Sequence, residues 1–162
     1  IAKFSPIMKA VIAFAQKGGK VLGICNGFQM LLEAHLLPGA MKRNSNVHFI
    51  SKFHALKVVN TNNAFLSQCR VGEILHVPIA HGEGSYYIDE AELKELYDNE
   101  QVLLTYVDEK GNVSNPNGSI DSIACICNKT KNVFGLMPHP ERAIESILGS
   151  NDGVKMLQGL ID

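Results

Sequence analysis

The chain has 162 residues, of which 46% are hydrophobic and 19% are charged, and its formal net charge is −1. This length suits one domain with a substantial core, and the near-neutral charge excludes the basic surface typical of proteins that bind nucleic acid or anionic membranes. No apolar run approaches the ~20 residues needed to span a bilayer. The four cysteines lack the spacing of a metal site, and a domain of this size needs no disulfides, so we expect a reducing, cytoplasmic setting.

The first forty residues predict a helix, a strand and a second helix. Ser5 can cap the first helix, Pro6 suits its first position, and Gly18-Gly19 ends it. The apolar run at residues 20–24 predicts a strand, and the second helix begins directly after it. The apolar positions of that second helix are Phe28, Leu31, Leu32 and Leu36.

The remainder alternates strands with turns and two more helices. Strands are predicted at residues 47–50, 55–60, 73–81, 102–107, 120–127 and 132–137. Asp89 can cap a helix that runs through Leu93, Leu96 and Tyr97. Ser150 can cap the last helix, whose predicted buried stripe is Val154, Leu157, Leu160 and Ile161. Cys125 and Cys127 lie two positions apart on one strand, so we expect both in the core.

The segment Gly23-Ile24-Cys25-Asn26-Gly27 joins the first strand to the second helix without a loop. This is the pattern of a nucleophile elbow, with sulfur in place of oxygen, in which the strained residue presents its side chain above the sheet. We expect Gly23 and Gly27 to let the strand and helix backbones approach closely. The amide groups and dipole of the helix are expected to lower the pKa of the thiol. The alternative is a buried structural cysteine at a tight turn.

A thiolate nucleophile needs a base, and the base needs an orienting group. The best candidates are His139 and Glu141, in Met137-Pro138-His139-Pro140-Glu141-Arg142 directly after a predicted strand. Prolines on either side of His139 favour an extended backbone, which points both side chains to one side. Glu141 can then orient the imidazole. The alternative is a surface histidine in a proline-rich turn.

A second His-x-Glu pattern occurs at His81-Gly82-Glu83-Gly84. Together with His139 and Glu141 these side chains could form a metal site, although the spacing is less distinctive than that of known metal motifs. The glycines favour a different interpretation, in which the backbone of this loop approaches a ligand. We therefore predict no metal.

The combination of Gly-x-Cys-x-Gly-x-Gln at residues 23–29 with Pro-His-Pro-Glu at residues 138–141 resembles the class I, or triad, glutamine amidotransferases. The resemblance implies an open, flavodoxin-like α/β fold of three layers: a mostly parallel sheet with helices on both faces. It also implies that Cys25 is the nucleophile, His139 the acid/base and Glu141 its orienting partner. Further roles implied by the family are an oxyanion donor at the Asn26 amide and substrate contacts from Gln29, His81 and Gly82.

Segments beyond the triad resemble one branch of that family. These are residues 36–41, 78–84 and 115–119, the last reading Asn115-Pro116-Asn117-Gly118-Ser119. Members of this branch are glutaminase subunits that supply ammonia for the synthesis of phosphoribosylformylglycinamidine in purine biosynthesis. The resemblance implies glutamine as substrate, a larger ATP-dependent synthetase as partner, and a small accessory subunit. No phosphate-binding loop with a lysine is present, so ATP and Mg²⁺ are expected only in the partner, with no cofactor in this chain.

We expect residues 1–162 to form a single amidotransferase domain that is incomplete at its N-terminus. Ile1 leads within a few residues into a helix, whereas the strand carrying Cys25 needs parallel neighbours on both sides. The family's second oxyanion donor would come from such an upstream region. Three alternatives remain: a triad amidotransferase of another pathway, a cysteine hydrolase or peptidase with the same elbow, and an inactive regulatory domain.

Overall fold

A computed structural model of the protein describes residues 5–42, 52–79, 85–144 and 150–161. The helices are α1 (Pro6–Gln16), α2 (Asn26–Glu33), α3 (Glu90–Asp98) and α4 (Asp152–Ile161). The strands are β1 (Val21–Ile24), β2 (Ala40–Lys42), β3 (Lys52–Val58), β4 (Ile74–Ile79), β5 (Ser85–Tyr87), β6 (Val102–Val107), β7 (Ile123–Cys127) and β8 (Val133–Leu136). The strand expected at residues 47–50 lies outside the described ranges.

A six-stranded sheet with the order β1-β8-β7-β6-β3-β4 forms the centre, and β2 pairs with β5 in a separate ribbon. Within the described strands of the central sheet, β1 and β8 are parallel while the other four neighbouring pairs are antiparallel. The expectation of a mostly parallel sheet is therefore wrong for this part of the chain. The reason is local: the short turn between β7 and β8 can join only antiparallel neighbours, because a parallel connection needs a dozen or more residues.

Four strands of this sheet end at the same edge. Since β8 and β6 both run antiparallel to β7, and β6 and β4 both run antiparallel to β3, these strands share the direction of β1. The carboxyl ends of β1, β4, β6 and β8 therefore meet at one edge, which we call the carboxyl edge. Cys25 follows β1 there, and the segment that contains His139 follows β8.

Helices cover both faces of the sheet, which confirms the expected three-layer α/β arrangement. On one face, apolar side chains of α1, α2 and α3 pack against residues such as Val133 and Ile126. On the other face, Met156 of α4 and the turn residues Phe65 and Leu66 pack in a second cluster. Cys125 and Cys127 are buried in that second cluster, as expected.

The predicted helix starts are confirmed in three places. The Ser5 hydroxyl accepts a hydrogen bond from the Met8 N–H at 3.1 Å, and the Asp89 carboxylate accepts one from the Glu92 N–H at 2.8 Å. At α4, the Asp152 N–H donates to the Ser150 hydroxyl at 3.1 Å. Such side-chain caps satisfy amides that have no partner within the first helical turn.

The predicted buried stripe of α4 is only partly right, because Leu160 packs against the second core cluster while other members of the stripe are exposed. In α4, Val154 is 40% exposed and Ile161 is 83% exposed, whereas Gly153, Met156 and Gly159 are buried. The two glycines let α4 approach neighbouring backbone, so the helix buries the face that carries both glycines and Met156. In α3, Tyr97 is exposed and donates a hydrogen bond to Asp121 at 3.1 Å.

Candidate active site

Cys25 occupies the elbow between β1 and α2. Its backbone has φ 58° and ψ −111°, a region that residues with a side chain adopt rarely and at a cost of roughly 1–3 kcal/mol. The Cys25 N–H donates to the Leu136 carbonyl of β8 at 2.8 Å, and the Cys25 carbonyl accepts from the Gln29 N–H at 3.2 Å. These bonds fix the residue between strand and helix. The expected strained elbow is confirmed.

The two glycines of the elbow differ in what they do. A Cβ on Gly23 would lie 2.7 Å from the Gly27 carbonyl oxygen and 2.5 Å from a Leu31 methyl group, so only glycine fits there. A Cβ on Gly27 would meet no atom within 4 Å. The expectation that both glycines allow the close approach is right for Gly23 and wrong for Gly27, which contributes only its backbone to the contact.

The electrostatic surroundings of the thiol favour its neutral form. Burial raises the pKa of Cys25, and the negative charge of Glu141 raises it further. A hydrogen bond from the Asn26 backbone and the positive charge of Arg142 act in the opposite direction. The expected contribution of the helix start is therefore present, but burial outweighs it, so the expectation of a lowered pKa is wrong. A thiol with a raised pKa needs a nearby base to become a nucleophile.

His139 and Glu141 form a hydrogen-bonded pair. The distance from His139 Nδ1 to a Glu141 carboxylate oxygen is 2.6 Å. His139 is 9% exposed and the Glu141 side chain is 42% exposed, so the imidazole is buried in the protein and the carboxylate lies at the solvent-accessible surface. The His139 N–H donates to the Pro78 carbonyl of β4 at 2.8 Å. The predicted His–Glu pair is thus present at the carboxyl edge. The expected extended backbone is wrong, because Pro140–Arg142 form a short 3₁₀ turn that brings the Glu141 side chain back to the imidazole.

The remaining predicted residues are only partly described. Asn26 is exposed at the first position of α2, and its backbone bonds the thiol of Cys25. Gln29 is exposed one turn later on the same helix. His81 and Gly82, together with Glu83, lie outside the described ranges, so their predicted contacts with substrate remain predictions. Within the ranges that are described, no group of three His, Cys, Asp or Glu side chains is arranged to hold a metal ion.

Two features of the site went unassigned in the sequence. Arg142 was part of the histidine segment, and its charge acts on Cys25 although no role was predicted for it. The position of Arg142 directly after Glu141 in the sequence could have indicated that its charge lies near the site. The second feature is Tyr106, fully buried, whose hydroxyl accepts a hydrogen bond from the Asn117 amide at 3.3 Å. Tyr106 and Asn117 line a small cavity of about 10 Å³ together with Met137. The contact between Tyr106 and Asn117 joins a strand to a distant loop, so hydrophobic periodicity could not have predicted it.

Other properties of the described residues bear on the site. All four cysteines are free thiols, and Cys25 is the one that is not fully buried. A cavity of about 630 Å³ is lined by residues such as Leu37, Glu92 and Lys129 and contains none of the catalytic candidates. The size of this cavity therefore does not identify the active site, whereas the strained elbow at Cys25 does.

Among the helices in the described ranges, none is long and apolar enough to cross a membrane.

Comparison with protein families gives one match over most of the chain. Residues 1–155 match the CobB/CobQ-like glutamine amidotransferase domain. The matched stretch includes the elbow and the His139–Glu141 pair, so the geometry described above lies within the matching region.

Comparison with individual proteins agrees with this match. The chain is 68% identical to the phosphoribosylformylglycinamidine synthase subunit PurQ of Sulfurimonas denitrificans and 62% identical to that of Wolinella succinogenes, covering 99% of this chain and 72% and 71% of those proteins. Among solved structures, a chain in the structure of PurLQS from Thermotoga maritima is 40% identical, with a TM-score of 0.82 over 96% of this chain and 66% of that one.

Proposed function

The chain belongs to the CobB/CobQ-like glutamine amidotransferase domain family, and from that premise we propose that it is a glutaminase subunit of phosphoribosylformylglycinamidine synthase. It hydrolyses glutamine to glutamate and ammonia, and the ammonia is used in purine biosynthesis. The identities of 68% and 62% to PurQ subunits support this branch of the family over an amidotransferase of another pathway or a peptidase.

The observation that carries the proposal is the convergence of two segments at the carboxyl edge. Cys25 follows β1, and the His139–Glu141 pair follows β8, which is the parallel neighbour of β1. The strained backbone presents the thiol, and Glu141 bonds His139 Nδ1, so we assign proton transfer to Nε2. The negative charge of Glu141 also raises the pKa of Cys25, which supports the assignment of both residues to one site.

In the first half of the reaction we assign the nucleophile to Cys25. His139 takes the thiol proton, and the sulfur bonds the carboxamide carbon of glutamine while the carbonyl oxygen becomes negatively charged. The Asn26 N–H, at the start of α2, donates to this oxyanion. His139 then gives its proton to the nitrogen of the leaving group. The carbon–nitrogen bond breaks, ammonia departs, and a glutamyl thioester remains on Cys25.

In the second half, His139 acts as a base toward water. The water oxygen bonds the thioester carbon, its proton passes to His139, and the carbon–sulfur bond breaks. Cys25 regains a proton and glutamate leaves. The Glu141 side chain stabilises the imidazolium that forms in each half, and its position 2.6 Å from Nδ1 suits this role. Gln29, His81 and Gly82 are proposed to hold the rest of the glutamine molecule.

The ammonia acceptor lies in another chain. We assign it to a larger ATP-dependent synthetase, with a small accessory subunit completing the complex. ATP and Mg²⁺ belong to that synthetase, and this subunit uses its own side chains without a cofactor. Purine synthesis and four free thiols are consistent with a cytoplasmic location.

The proposal is tested by comparing two nitrogen sources in the assembled complex. With Cys25→Ala, glutamine-dependent product formation should disappear, while formation from an added ammonium salt should remain at the wild-type rate. The matched control is Cys69→Ala, which removes a buried thiol of the opposite core cluster. That variant should keep both activities.

Loss of both activities in Cys25→Ala would assign Cys25 to assembly and contradict its role as nucleophile. Retention of glutamine-dependent activity would contradict the glutaminase mechanism itself. Gel filtration of the complex distinguishes the first result from a failure of the subunits to associate.

A further inference from the structure

We propose that Gly153, at the start of α4, is a positioning residue for the His139–Glu141 pair; this rests on the function proposed above. Gly153 is buried in the first turn of α4 and lies 12 residues beyond Glu141 in the sequence. It contacts the backbone of the short turn Pro140–Arg142, which carries the Glu141 carboxylate. Gly153 itself would touch neither substrate nor reacting atoms.

The contact between Gly153 and this turn is very close. A Cβ on Gly153 would lie 1.9 Å from the Pro140 carbonyl oxygen and 2.8 Å from the Ala143 carbonyl oxygen. The Gly153 N–H also donates a hydrogen bond to the Ala143 carbonyl at 2.8 Å. The obstacle is backbone and not a flexible side chain, so any larger residue must displace the turn or the helix.

The start of α4 is itself anchored to the sheet. The Asp152 carboxylate accepts a hydrogen bond from the His76 N–H of β4 at 2.7 Å. Two residues further along the same strand, the Pro78 carbonyl accepts the His139 N–H at 2.8 Å. The histidine is therefore held directly by β4, and the turn with Glu141 is held by a helix that is tied to the same strand.

This arrangement explains how an exposed carboxylate keeps its orientation. Within the described part of the chain, the Glu141 side chain is not fully covered and is 42% exposed, so its orientation depends on the backbone of its turn. An added Cβ at Gly153 would need the Pro140 oxygen to move by about 1 Å or more, and a misplacement of that size can cost about 10²-fold in rate. We expect Gly153→Ala to act on turnover through Glu141.

The same helix offers a matched control. Gly159 is also buried, and a Cβ there would lie 2.3 Å from the Ala64 carbonyl oxygen and 2.9 Å from that of Phe65. Gly159→Ala therefore forces a similar backbone clash on the same face of α4. It does so against residues of the far core cluster, about 9 Å along the helix from Gly153. Both variants should lose stability, and only Gly153→Ala should alter the His–Glu pair.

The experiment is a double-mutant cycle in the full-length chain assembled with its synthetase. Glutamine kcat and KM are measured for wild type, Gly153→Ala, Glu141→Gln, the double variant and Gly159→Ala, with unfolding measured in parallel. Gly153→Ala should lower kcat by 10-fold or more and leave KM within about two-fold. In the Glu141→Gln background it should lower kcat by less than two-fold, because the group it acts through has already lost its charge. Gly159→Ala should keep the wild-type kcat.

Equal losses of kcat from Gly153→Ala with and without Glu141→Gln would overturn the proposal, as would equal losses from the two glycine variants. If Gly153→Ala does not fold, Asp152→Ala replaces it in the cycle, because this change frees α4 from His76 without adding atoms. It should lower kcat several-fold in the wild-type background and have no effect beside Glu141→Gln; an unchanged kcat would overturn the proposal. An inactive wild-type complex would instead contradict the proposed function.

Discussion

The two ends of the parallel pair β1 and β8 are built in opposite ways. At the amino ends, Asn132 precedes β8 and is buried, and its side-chain amide donates to the carbonyls of Ala15 and Gly19 at 2.8 Å each. Its carboxamide oxygen accepts a hydrogen bond from Asn128 at 2.9 Å. The end of α1, the turn before β1 and the turn before β8 are thus joined through one side chain with its polar atoms satisfied.

At the carboxyl ends the same two strands lead into strained and reactive groups. Cys25 has a positive φ and a thiol whose pKa is raised by burial. His139 is buried beside an exposed carboxylate. Such features cost stability, and they persist because the surrounding structure determines them.

This difference indicates that the two ends of the strand pair have different roles in the protein. Polar groups at the amino ends serve packing, and their removal should affect stability alone. Groups at the carboxyl ends should affect turnover. Cavity size does not indicate the position of the active site. A cavity of about 630 Å³ is lined by residues that include Asn128 and Lys129 of the amino-end turn, and by none of the proposed triad.

The largest effect is expected at Gly23. Gly23→Ala should lower the free energy of unfolding by about 1–3 kcal/mol, since its Cβ would overlap the Gly27 carbonyl, and overpacking in a close-packed region costs about this much. It should also reduce glutamine hydrolysis by about 10²-fold, because the displaced α2 carries the thiol and the oxyanion donor away from their positions. Chemical denaturation and glutaminase assays of the complex measure both.

Gly27→Ala is the matched variant for that experiment. Its Cβ meets no atom within 4 Å, and alanine loses less backbone entropy than glycine when a helix forms. Its unfolding free energy should therefore equal or exceed that of the wild type. Similar losses of stability in the two variants would show that the close approach at the elbow is not specific to Gly23.

At the amino ends we expect a loss of stability of the same size and no effect on turnover. Asn132→Ala should lower the free energy of unfolding by about 1–3 kcal/mol, because it leaves two buried carbonyls without their donor. Asn62→Ala, at an exposed asparagine, should change it by less than about 0.5 kcal/mol. Glutamine turnover per folded molecule should be unchanged in both, and a lower kcat in Asn132→Ala would contradict the division between the two ends.

Much of the site could be predicted from local sequence. The elbow follows from a strand that meets a helix without a loop. The His139–Glu141 pair is also predicted, but the expected extended backbone is the wrong reason for it, because Pro140–Arg142 form a short 3₁₀ turn. Ser5, Asp89 and Ser150 cap helices as their positions indicate. These features depend on neighbours within a few residues, which a sequence displays directly.

The features that could not be predicted depend on distant backbone. The inward face of α4 is set by the carbonyls of Pro140 and Ala64, which exclude any side chain at Gly153 and Gly159. The direction of the strands depends on which of them pair, and short connections reveal this only for β7 and β8. The pKa of Cys25 is raised because the effect of burial exceeds that of the hydrogen bond from the Asn26 backbone. Burial depends on residues distant in the sequence, so a local pattern cannot predict it.

The most direct test of the central claim is the mass of the subunit during turnover. The wild-type complex is mixed with glutamine, quenched in acid within its steady state, and analysed by intact mass and peptide mapping. The account predicts one glutamyl group bound to Cys25, released by hydroxylamine as expected for a thioester, and no adduct in Cys25→Ala. Continued glutamine hydrolysis with a glutamyl group on any other residue, or in a Cys25→Ala complex, would contradict the account.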